Sequence, residues 1–171
     1  MAVRLIEKGV VRSAQPQTWA DLGAGNGLFT RALLSLLPSS SRIHAVDRDD
    51  NALASLRDLK SSSDVMTHVV NFERADLPFS QLDGILLANA LHFVKEQETF
   101  LRNVKNHLKP DARLILIEYD LPKPNPWVPY PIRFPDLQKL AERVGFRRVE
   151  KLDETPSRFN ASMIYSSLIQ S

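Results

Sequence analysis

Three glycines and two aspartates carry the clearest chemical signal in the chain. From position 19 it reads Trp-Ala-Asp-Leu-Gly-Ala-Gly-Asn-Gly, so Asp21 stands two residues before the first of Gly23, Gly25 and Gly27. Glycine lets a backbone turn sharply, adopt positive φ and approach a ligand closely. Such a turn is weak evidence alone, because a helix can simply need a tight entry, but its spacing narrows the ligand. A dinucleotide-binding Gly-x-Gly-x-x-Gly would place its third glycine at position 28, where the chain has Leu28, and the Gly-Lys-Ser/Thr of a Walker A loop is absent. Asp47 follows Gly27 by twenty residues, a separation at which a carboxylate can accept from both hydroxyls of a ribose. Both aspartates also have a plain structural reading, Asp21 in stabilising the turn and Asp47 as a helix N-cap.

Strands and helices must hold these residues, and short β-branched runs alternating with helical patterns supply them. Residues 18–22 read as a first strand that leads into the glycine turn. A helix over 28–37 is stopped by Pro38 and three serines, and 42–47 is a second strand. Asp49 or Asp50 caps a helix with Leu53, Leu56 and Leu59 on one face, closed by serines at 61–63. Strands follow over 65–71 and 85–88, then a helix over 96–108 closed by Lys109-Pro110, and a fifth strand over 113–119. Six of the eleven prolines fall in 121–135, a stiff extended loop. Pro135 opens a helix to about Val144 with Gly145 as its C-cap. Residues 146–152 and 161–169 have no helix between them and pair as an antiparallel hairpin. The expectation is an α/β, doubly wound, mostly parallel seven-stranded sheet with that hairpin at one edge. Residues 1–171 form one domain, with 1–17 as a short N-terminal segment on which Val3, Ile6 and Val10 share one helix face, toward the core or toward a ligand.

Composition excludes several classes. In 171 residues, 43% hydrophobic and 25% charged, a substantial core can form without staples. No cysteine means no disulfide, thiolate nucleophile or zinc-thiolate site, and four unspaced histidines argue against a metal centre. The reducing cytoplasm is the expected compartment. Twenty-two Lys and Arg against twenty Asp and Glu is not a nucleic-acid-binding balance, and no stretch has the apolar length of a membrane span.

With Asp21, Gly23, Gly25, Gly27 and Asp47 in this order of elements, the chain resembles the class I S-adenosylmethionine-dependent methyltransferases over nearly its whole length. The resemblance implies that Gly23, Gly25, Asn26 and Gly27 pass under the methionine part, with Asp21 steadying the turn or reaching the amino group. Asp47 would hold the ribose, with Arg48 flanking the adenine. Asp76-Leu-Pro-Phe79 is similar to a segment of ubiquinone-biosynthesis methyltransferases in which the aspartate ends strand three. Here Asp76 lies only seven residues before Asp83, whereas Asn71 lies twelve before it, and a parallel crossover needs about a dozen. Asn71 is therefore the expected adenine partner, its amide able to donate and accept, with Phe72 against the ring. Their alternative roles are turn and core.

The segment Leu-Ala-Asn-Ala-Leu-His-Phe at 87–93 takes the family position beside the methyl group, which puts Ala88 and Asn89 at the cofactor. The Asn/Asp-Pro-Pro-aromatic motif of base methylators is missing. His92 is the one base in a suitable place, though it can equally pack against the following helix. Glu118 and Tyr119 face the same rim, and Trp127 and Tyr130 on the proline-rich loop suit an apolar or planar acceptor or plain packing. The implied function is methyl transfer from S-adenosylmethionine to a small-molecule acceptor. The rival is a non-catalytic binding or regulatory partner that keeps the turn without an acceptor pocket. The acceptor and the oligomeric state are not legible.

Overall fold

The computed structural model describes residues 1–57, 59, 63–74, 77–157 and 162–171. Thirteen elements are defined among them, one being a single 3-10 turn at Leu91–Phe93. In chain order they are α1 (Ala2–Ile6), β1 (Thr18–Leu22), α2 (Leu28–Leu36), β2 (Arg42–Asp47), α3 (Asp50–Arg57), β3 (Asp64–Val69) and β4 (Leu82–Ala88). After the 3-10 turn come α4 (Gln97–Asn106), β5 (Leu108–Tyr119), α5 (Phe134–Val144), β6 (Arg148–Pro156) and β7 (Met163–Gln170). The seven strands form one sheet in the order β3-β2-β1-β4-β5-β7-β6. The first five are parallel, and β7 runs antiparallel to both β5 and β6. The chain order reverses on either side of β1, so a crevice opens between the carboxyl ends of β1 and β4. That is the expected seven-stranded, doubly wound sheet with its hairpin at one edge.

Two apolar layers clamp the sheet. One face packs Leu87, Leu114 and Leu116 against α4 and α5 through Leu101, Val104, Leu137 and Leu140. The other packs Ile43, Leu86, Ile115 and Ile117 against Leu33 of α2 and Leu5 and Ile6 of α1. Central strands buried on both faces need continuous apolar runs, which explains why 84–88 has no alternation to read. Trp19 is fully buried, and its ring fills the space over Gly84, where an added Cβ would lie 2.5 Å from it.

Several expected boundaries are corrected. The helix that should have run to 108 stops at Asn106, and β5 begins at Leu108. Leu82 pairs with Leu108 and Gly84 with Arg113, so β5 carries three extra residues there, and Pro110 sits in that bulge. A bulge is where a strand tolerates proline, so Lys109-Pro110 did not end the element. β4 starts earlier than read, at Leu82, and β3 ends earlier, at Val69. Phe146 does not begin β6: its N–H bonds the Ala141 carbonyl behind Gly145, whose φ of 88° closes α5. β7 begins at Met163; positions 158–161, which include the expected strand start at Ala161, lie outside the described residues, as do Ser61, Ser62 and Asp76. In the N-terminal segment Ala2, Leu5, Ile6 and Val10 are buried while Val3 is exposed, so this face joins the core beneath α2. No helix among the described residues is long and apolar enough to cross a membrane.

Candidate functional site

The glycine turn leaves β1 and is bound to β2. Gly23 and Ala24 N–H both donate to the Val46 carbonyl, at 2.8 and 2.9 Å. Gly23 has φ 80°, and a Cβ there would lie 2.8 Å from the Ala90 Cβ, so only glycine fits between the turn and the segment after β4. Gly25 also has positive φ, 52°, but a Cβ there would meet nothing within 4 Å. Its close face is open, which is the cradle a bound molecule would fill. Asn26 points its side chain outward, while its carbonyl accepts from Arg31 and Ser55 and fixes the far side of the turn. Gly27 is the αL N-cap of α2.

Asp47 ends β2 as a brace for this turn. Its Oδ2 accepts the Gly25 N–H at 2.8 Å and its Oδ1 the Asp49 N–H at 3.0 Å. Asp49, not Asp47, caps α3, accepting the Asn51 N–H at 2.9 Å. Each carboxylate oxygen has two lone pairs, so both bonds leave capacity for hydroxyls. Asp21 is almost wholly buried, and its Oδ2 accepts from Thr30 Oγ1 at 2.7 Å. Its Oδ1 is buried without a partner. Burial pushes this carboxyl up to about 7 against the pull of the Thr30 bond, and the Asp47 charge adds to the rise.

Across the crevice, Asn71 lies two residues past β3, in a turn where its Oδ1 accepts the Glu73 N–H at 3.2 Å. Phe72 is half-buried, 5.7 Å from the Phe100 ring and 3.5 Å from the Cβ position of Gly23. A groove of about 180 Å³ is lined by Gly23, Asp47, Arg48, Asn71, Phe72 and Asn89, with Phe93 closing it. Thus β1, β2, the turn after β3 and the end of β4 bring together most of the residues singled out for a cofactor. Ala88 is an exception: it packs on the α1–α2 side, and Ala90 takes its place at the groove. The reason is Asn89, whose φ of 53° turns the chain out of the strand while its N–H still bonds Ile117. The Asn89 Oδ1 is the second buried oxygen without a partner among the described residues.

Asn89 and Phe93 also line a larger cavity of about 580 Å³, shared with His92, Tyr119, Asn125, Trp127 and Val128. His92 is 2% exposed, and its Nδ1 lies 2.7 Å from Glu118 Oε2. Glu118 was expected at the rim beside Tyr119. Strand alternation sends these neighbours to opposite faces, and Glu118, fully buried, lies beneath His92 instead of in the cavity wall. Tyr130 is likewise not in the wall; its main chain ties the loop down, N–H to the His92 carbonyl at 3.0 Å and carbonyl to Gln97 Nε2 at 2.8 Å. Trp127 is in the wall and 82% exposed, so it does not cover the sheet's end as packing alone would require. Sequence reasoning missed Phe93, Asn125 and Val128. Asn125 gave one signal, an asparagine in a proline-rich loop: its Oδ1 accepts the N–H groups of Trp127 and Val128 and forms the turn that presents the indole.

A family model described as "Methyltransferase domain" matches residues 20–114, which contain the turn, β2, Asn71 and His92. The ubiquinone/menaquinone biosynthesis C-methyltransferase of Enterobacter sp. (strain 638) is 28% identical over 110 residues, 62% of this chain and 44% of that protein. The chain therefore spans less than half the length of that curated relative. Among solved structures, a 1,6-didemethyltoxoflavin N1-methyltransferase of Burkholderia thailandensis, with bound 1,6-didemethyltoxoflavin and S-adenosylhomocysteine, superposes with a TM-score of 0.72. It is 20% identical, over 99% of this chain and 79% of that one. The YcgJ protein of Bacillus subtilis gives 0.74 at 14% identity, over 99% and 97%. With more than half of its residues matched by the family model and the glycine turn, the aspartate ending β2 and the doubly wound sheet in place, the chain belongs to the class I S-adenosylmethionine-dependent methyltransferase family.

Proposed function

We propose that residues 1–171 act as one domain that transfers a methyl group from S-adenosylmethionine to a small-molecule acceptor. The observation that carries the reading is the pair of adjoining cavities, one at the glycine turn and one beyond it, which share Asn89 and Phe93. A cofactor binder without catalysis needs only the first. The residues fit the cofactor: Gly25 leaves its space open, and Asp21 and Asn89 each hold a buried oxygen with no partner. Gly23 and Gly25 would pass under the methionine part, Asp47 would take the ribose hydroxyls, and Asn71 with Phe72 would take the adenine. When bound, the cofactor supplies an electrophilic methyl on a positively charged sulfur, so the protein's main task is to orient the nucleophile. His92, in the wall of the second cavity, would serve an acceptor that must lose a proton. A near-neutral charge balance favours a small molecule over nucleic acid, and a chain without cysteine suits the cytoplasm. Release of S-adenosylhomocysteine across pooled small acceptors tests the reading, and silence from every pool in protein that binds the cofactor would favour the non-catalytic alternative.

The proline-rich loop gives a prediction of its own. With Trp127 exposed and Tyr130 held by its main chain, Trp127→Ala with Tyr130→Ala should melt within a few degrees of the parent and leave cofactor affinity unchanged. Turnover of an identified acceptor should fall. A large drop in Tm with kinetics unchanged would mean the rings only cover the sheet.

Asp21 sets a pH dependence. Its folded value near 7 lies above the ordinary 3.8. Between those two values the folded protein holds a proton that the unfolded chain has lost, so its contribution to stability falls as pH rises from about 4 to about 7. His44 acts in the opposite sense over part of this range, since burial, with His68 beside it, pushes it down to about 4. Comparing Asp21→Asn with the parent cancels the His44 contribution. The variant should gain Tm relative to the parent from pH 5 to pH 7.5, and a constant difference across that range would contradict the assignment.

A further inference from the structure

The larger cavity contains one acid–base device, and its chemistry narrows what the cavity accepts. Glu118 holds His92 twice, Oε2 at 2.7 Å from Nδ1 and Oε1 accepting the His92 main-chain N–H at 3.1 Å. The His92 carbonyl accepts from Tyr130, and the rings of Phe93 and Tyr119 stand 4.3 and 5.9 Å from the imidazole. Ring and backbone are therefore fixed together. A carboxylate accepts and does not donate, so Nδ1 carries the hydrogen and the neutral ring keeps its lone pair on Nε2. Nε2 has no hydrogen-bond partner among the described residues, and His92 lines the cavity. Nearby phenols do not compete for this role. Burial and the Glu118 charge hold Tyr119 protonated, and Tyr165, also pushed up by burial, donates to the Ile132 carbonyl.

The rest of the wall is apolar or neutral: Phe93, Tyr119, Trp127 and Val128, with the amides of Asn89 and Asn125. Among the described residues lining it there is no lysine or arginine to meet an anion and no exposed carboxylate to meet a cation. A neutral amine attacks with a lone pair it already has and needs no base beforehand. A carboxylate acceptor would arrive charged in a wall that holds no counter-ion, with Glu118 buried just behind His92. A weak acid in a planar ring gains most from this arrangement.

We infer that the acceptor is a neutral, planar molecule whose reacting atom carries a weakly acidic proton, as in a phenol, an enol or a heterocyclic N–H, and that Glu118 is the positioning residue that makes His92 its base. This rests on the methyl-transfer reading above. The acceptor's O–H or N–H bond breaks, and its proton passes to the Nε2 lone pair. The oxygen or nitrogen keeps the electron pair and bonds the methyl carbon. The carbon–sulfur bond breaks with its pair going to sulfur, which becomes a neutral thioether. His92 then returns its proton to solvent.

The test uses planar bicyclic probes of similar size with four chemistries: 2-naphthol, phthalimide, 2-aminonaphthalene and 2-naphthoate, each with S-adenosylmethionine and the full chain. Methylation is expected for 2-naphthol, for an oxygen acid, or for phthalimide, for a nitrogen acid with no basic nitrogen, and not for the amine or the carboxylate. His92→Gln should lower the reaction by about 10²- to 10⁴-fold, and by much less for 4-nitrophenol, which ionises near neutrality unaided. Glu118→Gln should shift the pH profile of kcat/KM. A second readout needs no acceptor: long-range ¹H–¹⁵N spectra of histidine-labelled protein should show His92 with its hydrogen on Nδ1, moving to Nε2 in Glu118→Gln. The inference is overturned if His92 carries its hydrogen on Nε2 in the parent, if the amine or carboxylate is the one methylated, or if none of the probes reacts while cofactor still binds. Loss of cofactor binding in the parent would instead strike the methyl-transfer reading itself.

Discussion

Asp47→Ala should weaken S-adenosylhomocysteine binding roughly 10- to 150-fold while leaving the melting temperature within a few degrees of the parent. The side chain makes two bonds in the structure, one to the Gly25 N–H and one to the Asp49 N–H. Both partners lie in turns at the edge of the groove, so losing the bonds costs local order more than core packing. In the proposed reading the remaining lone pairs would accept from the ribose hydroxyls, and hydrogen bonds to a charged acceptor contribute about 1.5 to 3 kcal/mol. Asp47→Asn keeps the shape and loses the charge, and should fall between. Calorimetric titration measures both; affinity unchanged in Asp47→Ala would remove the aspartate from the cofactor's site.

Trp19→Ala should do the reverse. The indole is fully buried in β1, its Nε1 donates to Gln17 at 2.9 Å, and its ring occupies the space that Gly84 leaves in β4. Deleting it opens a cavity on the sheet face that α1 and α2 cover, at a cost of about 3–5 kcal/mol. For a chain of this size that lowers Tm on the order of 10 °C. Because Trp19 lies at the far end of β1 from the glycine turn, cofactor affinity measured well below Tm should hold. A small fall in Tm would mean that neighbouring side chains collapse into the space. Together the two variants separate what binds from what merely holds the binding residues in place.

The sequence was most legible where a residue type admits one physical role. β1 and β2 have the expected limits because Gly23 must leave the strand and Asp47-Arg48 cannot continue a buried one. Pro135 and Gly145 likewise bracket α5 as their backbone preferences require. Pro110 misled because proline stops a helix but is tolerated in a bulge, and a bulge depends on the partner strand's register, which no local pattern encodes. Glu118 was placed beside Tyr119 because sequence adjacency was read as shared position, although successive strand residues face opposite ways. The link between Glu118 and His92 joins residues 26 apart, and only the parallel pairing of β4 with β5 brings them together. Phe93 escaped notice as one more apolar residue, yet the turn at Asn89 leaves it 44% exposed at the junction of both cavities.

The central claim is that the groove at the glycine turn takes S-adenosylmethionine, and titration calorimetry on the parent protein tests it most directly. S-adenosylmethionine and S-adenosylhomocysteine should each bind at one site per chain and compete with one another, while NAD, whose fingerprint fails at Leu28, should give no heat of binding. Uptake of NAD, or no response to either S-adenosyl compound, would contradict the account.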